Sequence, residues 1–271
     1  MTKNFLATIP APPFDSIGPV QIYGITMAIA IAVAVFITHK RWQSKHAGST
    51  LVLDIFLPVV ISGIAGARIY HLFTGYDWDS QGIAGTINLR NGGLSIWGAV
   101  IGGALCVAVL SKIKKFSFLE FGDAIAPALL VAQAIGRLGN YFNQELFGRE
   151  LNAFWALEVD ELYRPSGFES VQTFHPTFLY EMIWNLGLAL VIVVYQRKSK
   201  NWTTGQGLAL YIAGYTLFRS FLETIRVDKA TELFGVRFNL MLSLTLCVLA
   251  SIWFIVLTKR QQKVPAEGKS K

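Results

Sequence analysis

Seven apolar runs, separated by short polar tracts, constrain the fold of this chain more than any other feature. They cover residues 20–38, 51–73, 92–110, 118–136, 175–195, 207–221 and 238–257. A helix needs about 20 predominantly apolar residues to cross a bilayer, and most of these runs have that length. Hydrophobic residues make up 53% of the 271-residue chain and charged residues only 15%, which excludes an ordinary soluble domain. The sequence therefore predicts an all-α, polytopic integral membrane protein with seven transmembrane helices.

Two of the runs carry residues that predict how their helices behave. The third run contains Gly98 and Gly102, and small residues four apart let two membrane helices approach closely. The fourth run holds Asp123, Pro127 and Gln133, which weaken a helix in a bilayer. We therefore expect close helix packing at the third run and a broken backbone in the fourth.

Lysines and arginines collect in alternate tracts, and this asymmetry predicts the orientation of the helices. Basic residues mark the cytoplasmic loops of membrane proteins. Here they lie in residues 40–45, 112–115, 197–200 and 259–271. The opposite side carries the carboxylates Asp77, Asp79, Glu145, Glu158, Asp160 and Glu161. The pattern predicts a multi-pass protein with an extracytoplasmic N-terminus and a cytoplasmic C-terminus.

The chain is predicted to form a single membrane domain, residues 1–271. The same pattern predicts which of its segments lie outside the bilayer. We expect an extracytoplasmic arm at residues 1–19, a small extracytoplasmic head subdomain at residues 138–174 and a cytoplasmic tail at residues 259–271. The segment that ends at residue 174 is long and polar enough to form short elements of its own.

The formal net charge of +7 does not indicate a nucleic-acid partner, because the basic residues flank apolar runs in the manner of membrane proteins. The lipid bilayer is the expected partner. Cys106 and Cys247 lie inside apolar runs, where a packed small side chain is the expected role. The histidines show no metal-ligand spacing. We expect no disulfide framework, no metal and no cofactor.

Residues 136–149, with the sequence GRLGNYFNQELFGR, follow the fourth apolar run directly and yet carry two arginines and a glutamate. An arginine near a bilayer is costly unless it is paired, faces water or binds an anion, so Arg137 is a candidate functional residue. The glycines allow the backbone to approach a ligand or a neighbour closely. The alternative is a helix end whose arginines reach lipid phosphates at the interface.

The predicted orientation places several polar residues at one level of the membrane. Tyr23 begins the first run on the outer side, while Arg68 and Arg137 end the second and fourth runs there. His175 and Glu181 open the fifth run from the same side.

Tyr215, Arg219 and Glu223 stand at i, i+4 and i+8 in the sixth run and its end, so they share one face of a helix. A purely structural ion pair between Arg219 and Glu223 is the alternative. Several arginines balanced by acids in the outer half predict a pocket for an anionic group. A phospholipid phosphate fits, because the planar guanidinium binds phosphate oxygens in a bidentate manner.

The stretch at residues 136–149 resembles the signature of bacterial prolipoprotein diacylglyceryl transferases, and the similarity runs nearly end to end. Supporting pieces are Tyr23-Gly24, Gly92-Gly93-Leu94-Ser95, residues 123–127, residues 175–181, and Phe218-Arg219 with Glu223. The resemblance implies a seven-helix transferase of the bacterial cytoplasmic (inner) membrane with its active site in the outer half. Such an enzyme moves the diacylglyceryl group of phosphatidylglycerol to the lipobox cysteine of a secreted prolipoprotein and releases glycerol phosphate. This reaction is the first step of lipoprotein maturation, and it implies no metal or nucleotide.

The resemblance and the placement of the charges together assign expected roles to particular residues. Those expected to act in catalysis are Tyr23, Arg137, Glu145, His175 and Arg219. Those expected to bind phosphatidylglycerol are Arg137, Asn140, Gly148, Glu181, Tyr215, Arg219 and Glu223. Arg137 and Arg219 are the expected phosphate clamp. The acids Glu145, Glu181 and Glu223 are expected to orient the arginines.

One position departs from the family's pattern. Well-known members carry a histidine, proposed as a base, where this chain has Trp97, whose indole only donates hydrogen bonds. His175 is the competing base at the same predicted level, although a histidine at a helix start is more often a cap or a structural partner. We expect that a positive field makes the substrate thiolate available without a strong base.

A transporter or flippase for an anionic lipid or solute is the alternative class, because it would also use buried arginines. Such proteins commonly show paired repeats and a site near the membrane midplane. No repeat is evident in this sequence, and its charges cluster toward one face.

The basic tracts generate a first prediction. Tags at residues 45, 113, 199 and 271 should be labelled from the cytosol, and a tag at residue 160 from outside the cell, because basic loops stay in the cytoplasm. Labelling of intact and permeabilised cells with an impermeant reagent measures this. Labelling of residue 160 from the cytosol would contradict the predicted orientation.

Overall fold

The computed structural model of the protein describes residues 8–74, 95–199, 201–228 and 230–262. Several sequence predictions fall outside these ranges. They concern the first seven residues of the arm, the carboxylates Asp77 and Asp79, the glycines at residues 92 and 93, and the tail beyond residue 262.

Within the described residues, seven α-helices account for the seven apolar runs. They are α1 (Ile22–Gln43), α2 (Leu51–Thr74), α3 (Ile96–Ile113), α4 (Phe118–Phe142), α5 (Thr177–Lys198), α6 (Gln206–Ile225) and α7 (Phe238–Gln262). Most helices extend a few residues beyond the apolar runs into polar tracts. In α1 these tracts contain Lys40 and Arg41, whose long side chains can reach the interface while the helix continues.

Six of the described helices are long and apolar enough to cross a membrane, and α6 is the exception. It falls short of that apolarity because it carries Gln206, Arg219 and Glu223. The prediction of an all-α, polytopic membrane protein is confirmed.

The expected break in the fourth run is wrong, because α4 continues through Pro127 and ends only at Phe142. Proline removes one N–H donor, and tight packing on both sides of it, by the fully buried Ala126 and Ala128, can hold the helix together. The carboxylate of Asp123 has a structural partner. It accepts hydrogen bonds from the N–H groups of Gly205 at 2.8 Å and Leu208 at 3.0 Å, at the beginning of α6.

The chain divides into two compact units. One comprises Met1–Ile37 and Gly122–Lys271, and the other Thr38–Phe121. In the second unit, α2 packs on α3 at three glycines. A Cβ atom on Gly66, Gly98 or Gly102 would collide with backbone atoms of the facing helix, so the close packing predicted at the third run is confirmed.

The head segment, which we define as residues 143–176, contains short elements around a small core. Strands β3 (Leu157–Glu158) and β4 (Thr173–Phe174) pair antiparallel. The core side chains are Phe147, Leu157, Val159 and Phe174, all at most 4% exposed. Because α4 ends at Phe142, the first five residues of the predicted head subdomain, 138–142, are helical.

Two further hairpins lie in the first of the two compact units. Strands β1 (Ser16–Ile17) and β2 (Val20–Gln21) precede α1 directly. Strands β5 (Glu232–Leu233) and β6 (Val236–Arg237) connect α6 to α7. The second hairpin places Arg237 one residue before the beginning of α7.

The glycine contact between α2 and α3 gives a second prediction. Gly102→Ala should destabilise the protein by about 1 to 3 kcal/mol, because the new methyl group has no space against the backbone of Ser62. Thermal unfolding in detergent measures the loss. Gly103→Ala is the matched control, since its Cβ would meet only Val59 at an ordinary 3.8 Å. Equal unfolding midpoints for both variants would contradict the tight contact.

Candidate anion site

Gly148 brings the beginning of α5 and the end of α6 together. Its N–H donates to the carbonyl of His175 at 3.0 Å, and the N–H of Arg149 donates to the carbonyl of Ile225 at 2.8 Å. A Cβ atom at residue 148 would lie 2.8 Å from the Cβ of His175 and 3.1 Å from the Ile225 carbonyl. Glycine is required by this close approach. The structure thus gives Gly148 a positioning role, and it does not line the cavity described below.

Arg137, in the last turns of α4, lies at the centre of a polar chain. Its Nη2 donates to Glu181 Oε1 at 2.6 Å, and its Nη1 donates to Asn140 Oδ1 at 2.8 Å. The Asn140 amide donates to Glu145 Oε1 at 2.8 Å, and Asn143 donates to the same oxygen at 3.3 Å. Glu181 is only 3% exposed. A carboxylate so buried requires a charged partner, and Arg137 is that partner.

Glu223 is the second buried acid, and its side chain is fully shielded from solvent. Its Oε2 lies 3.0 Å from Arg219 Nη2 and 3.7 Å from Arg226 Nη1. Its Oε1 accepts from Arg237 Nε at 3.0 Å. Arg219 also faces Glu181, with Nη1 3.7 Å from Oε2. The two buried acids therefore hold Arg219 between them.

Asp228 joins the end of α6 to the hairpin β5–β6. Its two oxygens accept from Arg226 Nε at 2.6 Å and Nη2 at 2.7 Å in a bidentate pair. Arg237 Nη2 reaches Asp228 Oδ2 at 3.3 Å, and Arg237 Nη1 donates to the Arg226 carbonyl at 2.9 Å. This network fixes Arg237 against Glu223.

Within the described residues, the arginine cluster consists of Arg137, Arg219, Arg226 and Arg237, paired with Glu181, Glu223 and Asp228. Four cations against three anions leave one positive charge in excess. The buried Nε of Arg137 has no hydrogen-bond partner in this part of the chain. Excess positive charge and an unpaired donor are the properties expected of a site for an anion.

A small cavity of about 10 Å³, roughly the space of one water molecule, lies beside this cluster. It is lined by Arg137, Asn140, Leu146, Thr177, Phe178, Glu181, Arg219, Leu222 and Arg226. Three arginines therefore line one small space, together with the apolar side chains of Leu146, Phe178 and Leu222.

Tyr215 stands one turn before Arg219 on α6 and is partly buried. Its hydroxyl interacts electrostatically with Glu181, Arg137 and Arg219. The face of α6 that carries Tyr215 and Arg219 is thus directed at Arg137 on α4 and Glu181 on α5.

Tyr23, near the beginning of α1, interacts electrostatically with Glu145 and Arg137. Its ring packs on Gly139, where a Cβ atom would lie 2.6 Å from the Tyr23 Cδ2. The glycine of the motif therefore lets the tyrosine ring lie against α4.

His175 lies apart from the arginines in its contacts. Its Nδ1 is 3.1 Å from the Tyr180 hydroxyl, which accepts from Trp155 Nε1 at 3.0 Å. Because the indole only donates, the Tyr180 hydroxyl can donate to His175 Nδ1. Partial burial lowers the pKa of His175 below its ordinary value. His175 does not line the cavity, so its predicted catalytic role has no support from these contacts.

Sequence reasoning did not assign Arg226, Asp228 or Arg237 to the site. Arg226 follows Arg219 by seven residues, a spacing that returns to the same helix face and could have indicated it. Arg237 reaches Glu223 from beyond a hairpin, and no local spacing indicates such a contact.

Arg68 and Trp97, which the sequence analysis connected with this level, lie in the unit Thr38–Phe121. Arg68 is buried on α2, and Trp97 is partly buried as the second residue of α3. Their expected place at the outer level of the membrane stays a prediction.

The described ranges contain no group of three or more His, Cys, Asp or Glu side chains placed to hold a metal ion. The fold and the arginine cluster together define a class: a multi-pass membrane protein with a cluster of buried arginines and carboxylates, a candidate anion site, at the ends of its helices.

Comparison with known proteins gives the family. The family model described as prolipoprotein diacylglyceryl transferase matches residues 13–257, so the chain belongs to that family. The phosphatidylglycerol–prolipoprotein diacylglyceryl transferase of Corynebacterium glutamicum is 43% identical over 97% of this chain and 88% of its own length. The proteins of the same name from Corynebacterium efficiens and Bifidobacterium adolescentis are 42% and 40% identical, over 97% and 93% of this chain and 86% and 80% of their own lengths.

The isolation of His175 from the arginines generates a third prediction. His175→Gln should keep diacylglyceryl transfer within about threefold of the parent rate, and the acidic limb of the pH–rate profile should not move. A base with a pKa below its ordinary value would titrate on that limb, so the profile distinguishes the roles. Tyr180→Phe, which removes the hydrogen-bond partner of the ring, is the control. Loss of activity together with loss of that ionisation in His175→Gln would identify His175 as the base.

Proposed function

We propose that the protein transfers the diacylglyceryl group of phosphatidylglycerol to the lipobox cysteine thiol of secreted prolipoproteins and releases glycerol phosphate. It would act in the bacterial cytoplasmic membrane, with the arginine cluster in the outer half. The observation that carries the proposal is the excess positive charge of the cluster beside a cavity that three of its arginines line. Family membership identifies the reaction, and the cluster supplies a site for the phosphate of the lipid.

In the reaction, the thiolate sulfur of the prolipoprotein forms a bond with the glyceryl carbon of the lipid. The bond between that carbon and the phosphate oxygen breaks, and glycerol phosphate leaves with the electron pair. The thiol proton goes to solvent. The protein must therefore hold two reactants in line and stabilise charge on the departing oxygen.

Arg137 and Arg219 are suited to that stabilisation. Both guanidinium groups line the cavity, and both are held by Glu181, at 2.6 Å and 3.7 Å. Because the guanidinium groups are fixed before the lipid arrives, they need little reorganisation when charge develops. Arginine also keeps its charge in a site removed from water.

The acids have a different role. Glu181 and Glu223 fix the orientation of the guanidinium groups, and Glu181 itself lines the cavity. Asn140 connects Glu145 to Arg137 by hydrogen bonds. A positive site of this kind favours the thiolate form of an incoming cysteine. Tyr23 and Tyr215 stand beside the arginines as further polar groups.

The direct test uses purified protein, phosphatidylglycerol and a synthetic lipobox peptide. The peptide should gain the mass of a diacylglyceryl group, and a peptide with serine in place of the cysteine should not. Absence of any mass gain, with movement of lipid or solute across vesicle membranes, is the result expected of a transporter and would overturn the proposal.

The clamp gives a fourth prediction. Arg137→Ala and Arg219→Ala should each lower the transfer rate by about 30-fold or more, since a desolvated phosphate loses a charge partner worth about 2 to 5 kcal/mol. Lysine should restore little activity because it lacks the planar fork. Arg164→Ala, which removes an arginine of the head segment that bonds only to backbone carbonyls in the described structure, is the control. Near-parent rates in correctly inserted Arg137→Ala or Arg219→Ala would return that arginine to a structural role.

A further inference from the structure

A second and larger cavity, of about 670 Å³, opens in the same compact unit. It is lined by Asp15, Gln21, Asn143, Gln144, Glu145, Leu146, Phe147, Tyr163, Pro165, Val227 and Asp228. We call it the head cavity. Its volume lies within the roughly 300 to 1,000 Å³ of small-ligand sites, so it has room for a short stretch of polypeptide.

The charge of the head cavity is opposite to that of the arginine cluster. Three carboxylates line it, and no described lining residue is a lysine or arginine. Asp228 is already paired with Arg226 and Arg237, so Asp15 and Glu145 supply the negative charge of the cavity. This is notable in a chain with a formal net charge of +7. An anionic lipid headgroup is disfavoured there, while backbone N–H groups and cationic side chains are favoured.

Two of the carboxylates have unused acceptor capacity. The hydrogen bonds of Glu145 within the described chain both go to Oε1, from Asn140 and Asn143. Asp15 accepts from the Ser16 hydroxyl at Oδ1, 2.9 Å away. The second oxygen of each carboxylate can therefore accept a hydrogen bond from a ligand.

The head cavity adjoins the arginine site through shared residues. Leu146 lines both cavities. Glu145 is connected to Arg137 through Asn140, and Asp228 is paired with Arg226. A chain that occupies the head cavity would thus approach the arginine cavity at Leu146.

We propose that the head cavity binds the polar segment that follows the lipobox cysteine of the prolipoprotein, in an extended form, with a preference for neutral or basic residues over acidic ones. This inference rests on the proposed function. A secretory signal is apolar up to its processing site and the mature chain begins beyond it, so the polar side of the cysteine is the one that fits a polar cavity. The thiol would then point past Leu146 to the arginine cavity.

Binding is tested without lipid, so that the result does not depend on transfer. Three fluorescent lipobox peptides are compared, each with serine in place of the cysteine. After that position the first carries two lysines, the second two serines and the third two glutamates. Anisotropy in neutral detergent at low salt should give the lysine peptide about tenfold higher affinity than the glutamate peptide. Added salt should reduce this ratio, since it screens exposed charges.

The matched variants are Asp15→Lys and Glu161→Lys. Asp15 lines the head cavity, whereas Glu161 is an exposed acid of the head segment that does not line it. Asp15→Lys should reduce the ratio about threefold or more, and Glu161→Lys should leave it near the parent value. Equal affinity of the parent for all peptides, or equal effects of the two variants, would overturn the inference.

The transfer assay distinguishes this inference from the proposed function. If the parent transfers lipid but shows no charge preference in binding, the proposed function stands and the head cavity is not the peptide site. If the parent binds with the expected preference but transfers nothing, the cavity stands as a peptide site and the proposed function fails.

Discussion

Two carboxylates without access to solvent, Glu181 and Glu223, are the constraint on which this structure depends. Charges removed from water are costly unless they are paired and hydrogen bonded. Here the pairing is supplied by arginines from α4, from α6 and its end, and from the hairpin before α7. The same pairing fixes the ends of these elements. Together with Asp228, the acids balance three of the four arginines of the cluster, so one positive charge is in excess. Folding and function thus use one set of interactions.

The motif at residues 136–149 contributes to this arrangement in three distinct ways. Its helical part places Arg137 and Asn140 on the end of α4 and presents Gly139 to the ring of Tyr23. Its central part supplies Glu145 and Leu146 to the boundary between two cavities. Its end supplies Gly148, the point where α5 and α6 meet. These separate contacts account for the density of charged and glycine residues in the motif.

The sequence predicted the helices well, because a bilayer requires about 20 apolar residues in each and their pattern is direct. It also predicted the grouping of Arg137, Glu181, Arg219 and Glu223, since intramembrane charges must find one another. It failed at Pro127, where packing by buried alanines outweighs the loss of one N–H donor.

The remainder depends on tertiary contacts that no local pattern encodes. Arg237 reaches Glu223 across 14 residues of sequence through a hairpin. The sequence predicts His175 at the membrane level of the arginines, yet its ring bonds to Tyr180 and not to a side chain of the arginine cluster. The depth of a residue in the membrane can be predicted from the sequence. The direction in which its side chain points around the helix axis depends on how the neighbouring elements pack.

The central claim is that the excess positive charge of the cluster holds the phosphate of the lipid. Equilibrium binding of phosphatidylglycerol and of uncharged diacylglycerol to the parent and to Arg219→Met tests it most directly, because methionine keeps an unbranched side chain without its charge. The account predicts that the variant loses tenfold or more in affinity for phosphatidylglycerol, about 1.4 kcal/mol, and binds diacylglycerol as the parent does. Unchanged affinity for phosphatidylglycerol, or an equal loss for both lipids, would contradict it.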